Sequence, residues 1–514
     1  MIARKSLLIV MSQFFARFLG WIALVILAKM WGDSAPETLG IIGFAMAFVA
    51  LFTFIGDLGF TSAHVKRLSE GNNTGECIGT FMTIKLVLTG LMLVVLSLTL
   101  VVGKFLFNIS FYDSTSEKVV LIFIYYYIFS NIVQIPLTTF QATKEIFKRQ
   151  IIMVSENLVK VPLFIYVAIM GASVIAVEGL NNWVDLLAIT YLCGIFASCI
   201  VGFYLLRNYP LERPTKKMFK SYFIFAIPVM LLALINTISV NVDKIMIGYF
   251  WTSVEVGYYF TVQQVLQIVL IFSSAIGIVL FPTISEYHVK HNHKHIRKTI
   301  HMATRYISML MMPVFITIVI FVNPIISIML NDAFLPASGV LIVLTVLAFL
   351  TTIGTPYNSL IVGMNRPGIA AKIGLVMCVS NVILNFSFIP KDGLLSFVGI
   401  NGALGASVAT TISCVIGFIS LCVVSKRLAK IKIFQRYYIN HAIAGVLLAG
   451  FLYLAKINNP ITWYTLILFV GMGLFVYFGI LYLLKEFTED DFKFFLDICH
   501  PKKMLEYMSG EIKK

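Results

Sequence analysis

Apolar runs of about twenty residues recur from one end of this chain to the other, with charged residues gathered in the short gaps between them. A helix of that length and character crosses the hydrocarbon core of a bilayer. Of the 514 residues, 59% are hydrophobic and 12% are charged, whereas about 25% are charged in a typical soluble domain. The sequence therefore predicts an all-α polytopic membrane protein and excludes a soluble globular fold.

Breaks in the apolar runs divide the chain into about fourteen predicted transmembrane helices. Their boundaries are approximate to about 2–4 residues. The predicted spans lie at about 6–29, 39–63, 78–102, 118–140, 149–175, 184–206, 221–249, 256–282, 303–322, 338–363, 370–390, 401–425, 437–456 and 461–484.

The distribution of the Lys and Arg residues agrees with this division into helices. About thirty of the 39 occupy the N-terminus, every second connection and the C-terminal tail, whereas the alternate connections hold about five. Basic connections remain on the cytoplasmic side. The pattern predicts a multi-pass protein of the cytoplasmic membrane with both termini in the cytoplasm. The net charge of +15 then reflects topology, and nucleic acid is excluded as a partner.

The chain also repeats itself weakly. Glu37 and Gly40 at the second predicted helix correspond to Glu255 and Gly257 at the eighth. The copies are six helices apart and run in the same direction, and in transporters such a repeat places a substrate site between the halves. We predict an N-terminal lobe at 1–210, a C-terminal lobe at 211–430, two extra helices at 431–485 and an amphipathic cytoplasmic tail at 486–514.

Polar side chains within the predicted spans indicate a cavity. A charge at the bilayer centre costs about 2.5–3.5 kcal/mol, so such residues face a bundle interior or water. Cations outnumber carboxylates here, which favours an anionic ligand such as a diphosphate. Internal ion pairs that fix helix packing are the alternative, above all for Glu156 with Lys160. The predicted substrate-binding residues are Arg17, Gln13, Lys160, Glu156, Lys244, Asp243, Asn236, Gln263 and Gln267.

Arg17 is the strongest candidate for substrate binding among them, because no acidic neighbour in the sequence neutralises it. Asp243 and Lys244 are adjacent within a span, and we interpret Asp243 as holding Lys244 in place at the cavity wall. Lys85 lies in the inner half of its predicted span and could reach the inner membrane interface, which favours a packing role, and Asp57 is interpreted as a hydrogen-bonding partner in packing.

Catalytic, metal and cofactor signatures are missing from the sequence. The run EYHVKHNHKHIRK at 286–298 favours a solvated cytoplasmic loop over a metal site, and the seven cysteines form no metal-ligand array and are expected to be free thiols. No GxxxxGK[ST] motif appears, so ATP does not drive the protein directly. We predict a protein that is not an enzyme and needs no cofactor, with the coupling ion, Na⁺ or H⁺, left open.

An ordered set of motifs within residues 1–425 resembles the polysaccharide biosynthesis proteins, the oligosaccharide-lipid flippases of the multidrug/oligosaccharidyl-lipid/polysaccharide exporter superfamily. The motifs are GFAMAFVALFTFIGDLGFTSAHVKRLSE (43–70), VDKIMIGYFWTSVEVGYYFTVQQV (242–265), FPTISE (281–286), NSLIVGMNRPG (358–368), NVILNFSFIP (381–390) and GINGALGASVATTIS (399–413).

This resemblance implies two six-helix lobes in a V-shaped arrangement plus two further helices. It implies alternating access that moves a polyprenyl-(di)phosphate-linked glycan between leaflets, in association with a glycan polymerase or ligase. The stretch SQFFARFLGW is similar to the first helix of lipid II flippases. Arg17 and Gly20 match their cavity arginine and glycine, whereas Ala16 replaces the serine. Asp243 matches the acidic residue that opens the seventh-helix motif of polysaccharide exporters.

Two other functions remain open at this point. A cation-coupled multidrug exporter of the same superfamily would share the fold but would need acidic residues in its cavity. An integral-membrane glycosyltransferase or ligase would need catalytic carboxylates and usually a sizeable outer domain, whereas the predicted outer connections are short and carry no acidic cluster.

Overall fold

The computed structural model describes residues 2–106, 114–178, 180–433 and 435–486. Every regular element within these residues is helical. Short 3₁₀ helices occur at Gly32–Ser34, Asp332–Ala337 and Ser396–Val398. The α-helices are α1 (Ile2–Trp31), α2 (Ala35–Asp57), α3 (Phe60–Ser69), α4 (Thr74–Leu106), α5 (Ser114–Ala142), α6 (Ile146–Glu178), α7 (Asn181–Leu206), α8 (Lys216–Phe250), α9 (Ser253–Val289), α10 (His293–Ile320), α11 (Val322–Met329), α12 (Ser338–Gly363), α13 (Pro367–Phe388), α14 (Gly402–Ala429), α15 (Arg436–Asn458) and α16 (Trp463–Leu483).

The predicted spans each correspond to one long helix. Thirteen stretches of the described chain are long and apolar enough to cross a membrane, and the first of them, Gln13–Asp57, contains both α1 and α2. Of the α-helices within the described residues, only α3 and α11, with 10 and 8 residues, are too short to span. The all-α polytopic fold class and the order of its helices are therefore confirmed.

Exposed apolar side chains cover the outward surfaces of these helices. On α4, Val87, Val94 and Leu98 are more than half exposed, and on α13 the same holds for Ile383 and Phe386. Water would not tolerate this much continuous apolar surface, whereas lipid does. The chain is therefore a multi-pass membrane protein.

The second span ends earlier than predicted. The sequence predicts a helix through residue 63, but α2 ends at Asp57 and α3 begins at Phe60. Leu58 and Gly59 have φ values of 41° and 82°, in the left-handed region that interrupts a helix. A Cβ on Gly59 would lie 2.8 Å from the backbone oxygen of Ala226. The apolar run continues through this break, so hydropathy alone concealed it.

Asp57 and Lys85 meet beside this break. The Lys85 ammonium donates to a carboxylate oxygen of Asp57 at 2.8 Å and to the Gly56 carbonyl at 3.1 Å. The Lys85 side chain is 1% exposed and that of Asp57 is 29% exposed. Asp57 also accepts hydrogen bonds from the backbone nitrogen and hydroxyl of Thr61, so the pair ties α2, α3 and α4 together, in line with the packing role expected for both residues.

The predicted histidine-rich loop is mostly helical. Helix α9 continues to Val289 and α10 begins at His293, so three residues connect them. The Asn292 side chain accepts from the backbone nitrogen of His295 at 3.2 Å, which caps α10. Among the described residues, no group of three or more His, Cys, Asp and Glu side chains could hold a metal ion.

The predicted tail, 486–514, lies outside the described residues except for its first residue. Glu486 accepts a hydrogen bond from Arg305 Nε at 2.8 Å and from Asn440 Nδ2 at 2.9 Å. These bonds attach the end of α16 to α10 and α15, which also pack against each other.

Helices α1–α7 and helices α8–α14 form two groups that meet mainly where α9 contacts α1 and α2, and where α8 contacts α2 and α3. The predicted division points near 210 and 430 fall in the connections between α7 and α8 and between α14 and α15. We call the end of the bundle that holds connections 207–215 and 290–292 the basic end. The end that holds connections 32–34 and 251–252 is called the opposite end.

Candidate substrate cavity

The two helix groups meet at the opposite end in a crossing of glycines, Gly40 of α2 and Gly257 of α9. A Cβ on Gly40 would lie 2.6 Å from the carbonyl carbon of Ser253, and a Cβ on Gly257 would lie 2.7 Å from the carbonyl carbon of Pro36. Small residues of this kind let helix backbones approach closely within a membrane. The two glycines that the repeat predicted as equivalent thus pack against each other.

Polar contacts reinforce this closure. The Lys29 ammonium donates to the Ser327 carbonyl at 2.6 Å. The Asn331 amide donates to the carbonyls of Gly32, at 2.9 Å, and of Ala28. These bonds link the end of α1 to α11 and to the segment that follows it, so the space between the helix groups is closed at the opposite end.

A cavity of about 250 Å³ lies beneath the crossing, between α1, α2, α5, α6, α7 and α9. We call it the central cavity. Both helix groups contribute to its wall, because α9 supplies amide side chains and α1 and α6 supply cations. Its lining includes Arg17, Gly20, Trp21, Tyr126, Asn157, Lys160, Tyr191, Phe260, Gln264 and Gln267.

Arg17 bridges the two helix groups. It stands at the middle of the 30-residue α1, and its Nη1 donates to the backbone carbonyl of Gln267 in α9 at 2.7 Å. Among the described residues, no carboxylate oxygen lies within 4.0 Å of its guanidinium. The guanidinium has five N–H donors, so most of them remain available to a ligand.

Lys160 and Glu156 form the ion pair that the sequence left open. Their charged atoms are 3.7 Å apart, and Glu156 also accepts from the Tyr126 hydroxyl at 3.3 Å. The Lys160 ammonium lies 5.2 Å from the centre of the Tyr191 ring, a favourable cation–π distance. Arg17 and Lys160 line the central cavity, whereas Glu156 does not, so an excess of positive charge remains even when the Glu156 carboxylate that pairs with Lys160 is counted.

A second cavity of about 320 Å³ adjoins the first and shares Arg17, Tyr126 and Asn157 with it. It lies within the first helix group, between α1, α5, α6 and α7. Apolar side chains and several uncharged polar side chains line it, together with Arg17 and Glu156. We call it the amide pocket, after the four amide side chains in its lining, Gln13, Gln134, Gln150 and Asn157.

Asp243 does not hold Lys244 in place, and that interpretation was wrong. The Lys244 ammonium donates to the Val240 carbonyl at 2.9 Å and to the Gln263 side chain at 3.0 Å. Neighbouring residues on a helix point about 100° apart, so the two side chains have different partners. Both are buried, at 2% and 5% exposure, and neither lines the central cavity or the amide pocket.

Asp243 lies instead in a hydrogen-bond network between α8, α9, α13 and α14. Its carboxylate accepts from Tyr259 at 2.5 Å, Asn385 at 2.7 Å, Thr410 at 2.9 Å and Asn381 at 3.2 Å. Four donors satisfy both oxygens. This network joins four helices of the second group.

The other predicted site residues lie in the two cavities, beside Lys244 or on the exposed surface of α8. Gln13 and Glu156 line the amide pocket, and Gln267 lines the central cavity. Gln263 lies with Lys244. Asn236 is exposed on α8 and lines neither cavity, so it does not join Asp243 although both share a helix face. Contact of these residues with substrate stays a prediction.

Sequence reasoning missed several lining residues. Tyr126 and Tyr191 were not singled out, because aromatic residues are abundant in apolar spans. Gln134 and Gln150 carry a usable signal, since an amide within a membrane helix requires a polar partner. Gln150 was overlooked because it falls at the predicted start of its span, where contact with water would explain it.

The helix order and the polar cavity between two helix groups define a polytopic membrane transporter. Its fold is similar to that of the lipid II flippase MurJ in an inward closed conformation, with a TM-score of 0.72 and 17% identity over 93% of this chain and 98% of that chain. It is also similar to an inward-facing multidrug resistance MATE family transporter of the MOP superfamily, with a TM-score of 0.59 and 14% identity over 80% and 96% of the two chains.

Residues 34–339 match the polysaccharide biosynthesis protein family, and the chain belongs to that family. It is 25% identical over 499 residues to the probable low-salt glycan biosynthesis flippase Agl15 of Haloferax volcanii, covering 96% of this chain and 98% of that protein. It is also 27% identical over 182 residues to the uncharacterized membrane protein MJ1068 of Methanocaldococcus jannaschii, covering 35% and 36% of the two chains. The resemblance inferred from the motifs is confirmed.

Proposed function

We propose that this protein is a flippase that moves a polyprenyl-(di)phosphate-linked oligosaccharide across the cytoplasmic membrane by alternating access, for cell-surface polysaccharide or glycan assembly. Membership of the polysaccharide biosynthesis family and similarity to the glycan flippase Agl15 support this function. The observation that carries the proposal is Arg17, a cation in a cavity between two helix groups with no carboxylate partner among the described residues.

The chemistry of the central cavity suits a phosphate. An arginine that has spare N–H donors can bind two phosphate oxygens at once. Lys160 adds a second cation, and Glu156 and Tyr191 hold it at the cavity wall. The apolar prenyl chain needs no site in this cavity, because it can remain in the surrounding lipid.

The closed glycine crossing suggests the order of events. The headgroup enters from the basic end and reaches Arg17 at the middle of α1, while the crossing of α2 and α9 blocks the opposite end. Separation of α2 from α9 then exposes the headgroup at the opposite end. The distribution of Lys and Arg supports a cytoplasmic basic end, and with that orientation the headgroup moves outward and both termini lie in the cytoplasm.

Transport of this kind requires no bond to be made or broken, and we assign the protein no enzymatic role. A glycosyltransferase or ligase would act on the outer side, where the described connections are short and 389–401 is the longest of them. A glycan polymerase or ligase is the expected partner that uses the translocated product.

A cation-coupled multidrug exporter is the second candidate, since MATE transporters have a similar fold. Arg17 and Lys160 in the central cavity count against it, because they repel a cationic drug. Coupling to Na⁺ or H⁺ stays a prediction.

Loss of the gene provides the test. Cells without the protein should accumulate the lipid-linked glycan, which mass spectrometry of extracted lipids can measure. The accumulated glycan should be confined to the inner leaflet. Arg17→Ala should fail to restore transport, because charge-assisted hydrogen bonds contribute about 1.5–3 kcal/mol each, or about 10- to 150-fold in affinity. Lys160→Ala should show a smaller defect, because Glu156 already neutralises part of its charge.

The matched control is Arg366→Ala, which removes an exposed arginine at the basic end and should restore transport fully. Full rescue by Arg17→Ala at normal expression would remove Arg17 from the mechanism. Normal lipid-linked glycans in the deletion strain would overturn the proposed function itself.

A further inference from the structure

The amide pocket contains a buried side chain whose hydrogen-bonding groups are unused. Gln150, on the second turn of α6, is 4% exposed. Neither its amide oxygen nor its amide nitrogen has a hydrogen-bond partner among the described residues. A buried unsatisfied polar group is costly, and proteins satisfy such groups with water or a ligand. Both atoms are closed off from solvent in this side-chain position, but Gln150 lines the amide pocket, so a rotation of the side chain into the pocket would let a molecule there supply both bonds.

The two unused atoms specify the chemistry of this molecule. The amide nitrogen donates and the amide oxygen accepts. A phosphate oxygen satisfies the nitrogen but cannot donate to the amide oxygen once it is ionised. A hydroxyl group both donates and accepts, so adjacent hydroxyls satisfy the whole amide. Gln13, Gln134 and Asn157 add further amides of the same dual character.

The position of the pocket relative to the cations matches a glycosylated phosphate. Lys160 and Gln150 are ten residues apart on α6, which corresponds to about 15 Å along the helix at 1.5 Å per residue. Arg17 lies between them, because it lines both cavities. The amide pocket extends from Arg17 towards the basic end, and its volume of about 320 Å³ falls in the range of small-molecule sites.

We infer that the amide pocket binds the sugar nearest the phosphate through its hydroxyls, while Arg17 and Lys160 bind the phosphate. This inference rests on the proposed function and deepens it. The pocket lets the protein distinguish a glycan-loaded carrier from an empty prenyl diphosphate, since the empty carrier leaves Gln150 unsatisfied. Loaded carrier is therefore bound preferentially from the side where the glycan is assembled.

Binding of two probes to the purified full-length protein tests this inference. The probes are farnesyl diphosphate and the same diphosphate esterified with one glucose. For the unaltered protein, the glucosylated probe should bind more tightly. Gln150→Met should reduce that preference by about 2- to 12-fold, the range expected for one neutral hydrogen bond, and leave the affinity for farnesyl diphosphate unchanged.

The controls separate a binding defect from a folding defect. Gln150→Met removes no bond within the protein, so it should not lower the melting temperature. Gln134→Leu removes a second amide from the pocket and should also reduce the preference for glucose. Gln141→Leu makes the same chemical change on the exposed surface of α5 and should alter neither affinity.

Each outcome distinguishes the inference from the proposed function. If Arg17→Ala weakens both probes but Gln150→Met and Gln134→Leu leave the preference for glucose intact, the sugar site is wrong and the flippase proposal stands. Equal binding of both probes to the unaltered protein would also overturn the sugar site and would assign the pocket to water. If neither probe responds to Arg17→Ala, the phosphate site fails, and the sugar site fails with it.

Discussion

Replacing Gly40 by alanine should open the crossing of α2 and α9. The added Cβ would lie 2.6 Å from the carbonyl carbon of Ser253 and 2.9 Å from the backbone nitrogen of Gly257, whereas ordinary van der Waals contact begins at 3.4 Å. Both atoms belong to the backbone of α9, so neither can move aside alone. The Ser253 backbone oxygen lies closer to the added Cβ than either of these atoms, so the two helices must separate by considerably more than about 0.8 Å, a large change in a close-packed interface.

The Gly40→Ala substitution should destabilise only the closed conformation. Overpacking of this kind costs about 1–3 kcal/mol, and the cost applies only while the crossing is closed. The ratio of closed to open molecules should then fall by about 5- to 150-fold. Transport should slow as well, because a cycle that cannot close at the opposite end cannot reload from the basic end.

Spin labels on cysteines introduced at Asp33 and Asp332 can measure this shift, in a protein whose native cysteines have been replaced. Both positions are exposed at the opposite end, on different helix groups. Pulsed electron paramagnetic resonance should show a longer distance in Gly40→Ala and in Gly257→Ala. The control is Gly90→Ala on α4, where a Cβ meets nothing within 4 Å. Identical distance distributions in Gly40→Ala and Gly90→Ala would refute the assignment of the crossing as the closing contact.

Two predictions concern stability in detergent, measured as the melting temperature. Asp57→Ala should destabilise the protein more than Lys85→Met, because it leaves a cation that is 1% exposed without its carboxylate. Breaking a buried ion pair in this way costs about 3–5 kcal/mol. Equal melting temperatures of the two variants would contradict this prediction. Asp243→Asn should lower the melting temperature, because an amide offers one accepting oxygen to four donors and each unsatisfied donor costs about 1–3 kcal/mol. The exposed control Asp33→Asn should have no effect, and an equal result for both variants would show that the Asp243 network adds no stability.

The candidate site could be predicted from the sequence only in part. A cation such as Arg17 in the middle of an apolar span cannot face lipid, so hydropathy alone placed it in the bundle interior. Which partner a buried polar residue meets is a different question. Asp243 and Lys244 are adjacent in sequence, yet they point to different neighbours, and Gln150 became notable only when its missing partners could be seen.

The helix boundaries, too, could be predicted from the sequence only in part. Span number and order followed from local apolar length, which is why fourteen helices were expected and found in the described chain. The break at Leu58 and Gly59 was missed, because the apolar run continues through it. At this break Gly59 packs closely against α8, where a Cβ would meet the backbone of Ala226, a contact made by residues far away in the sequence.

The sequence by itself determined that the chain crosses the membrane many times, in which order, and which cations must lie inside the bundle. These properties depend on segment length and on the cost of placing charge in lipid, and both act within one helix. Only the tertiary structure decided that Arg17 contacts α9, that Gly40 packs against Gly257, and that Gln150 faces a pocket. These contacts depend on how each helix is rotated and where it crosses its neighbours, which side-chain packing between distant segments sets.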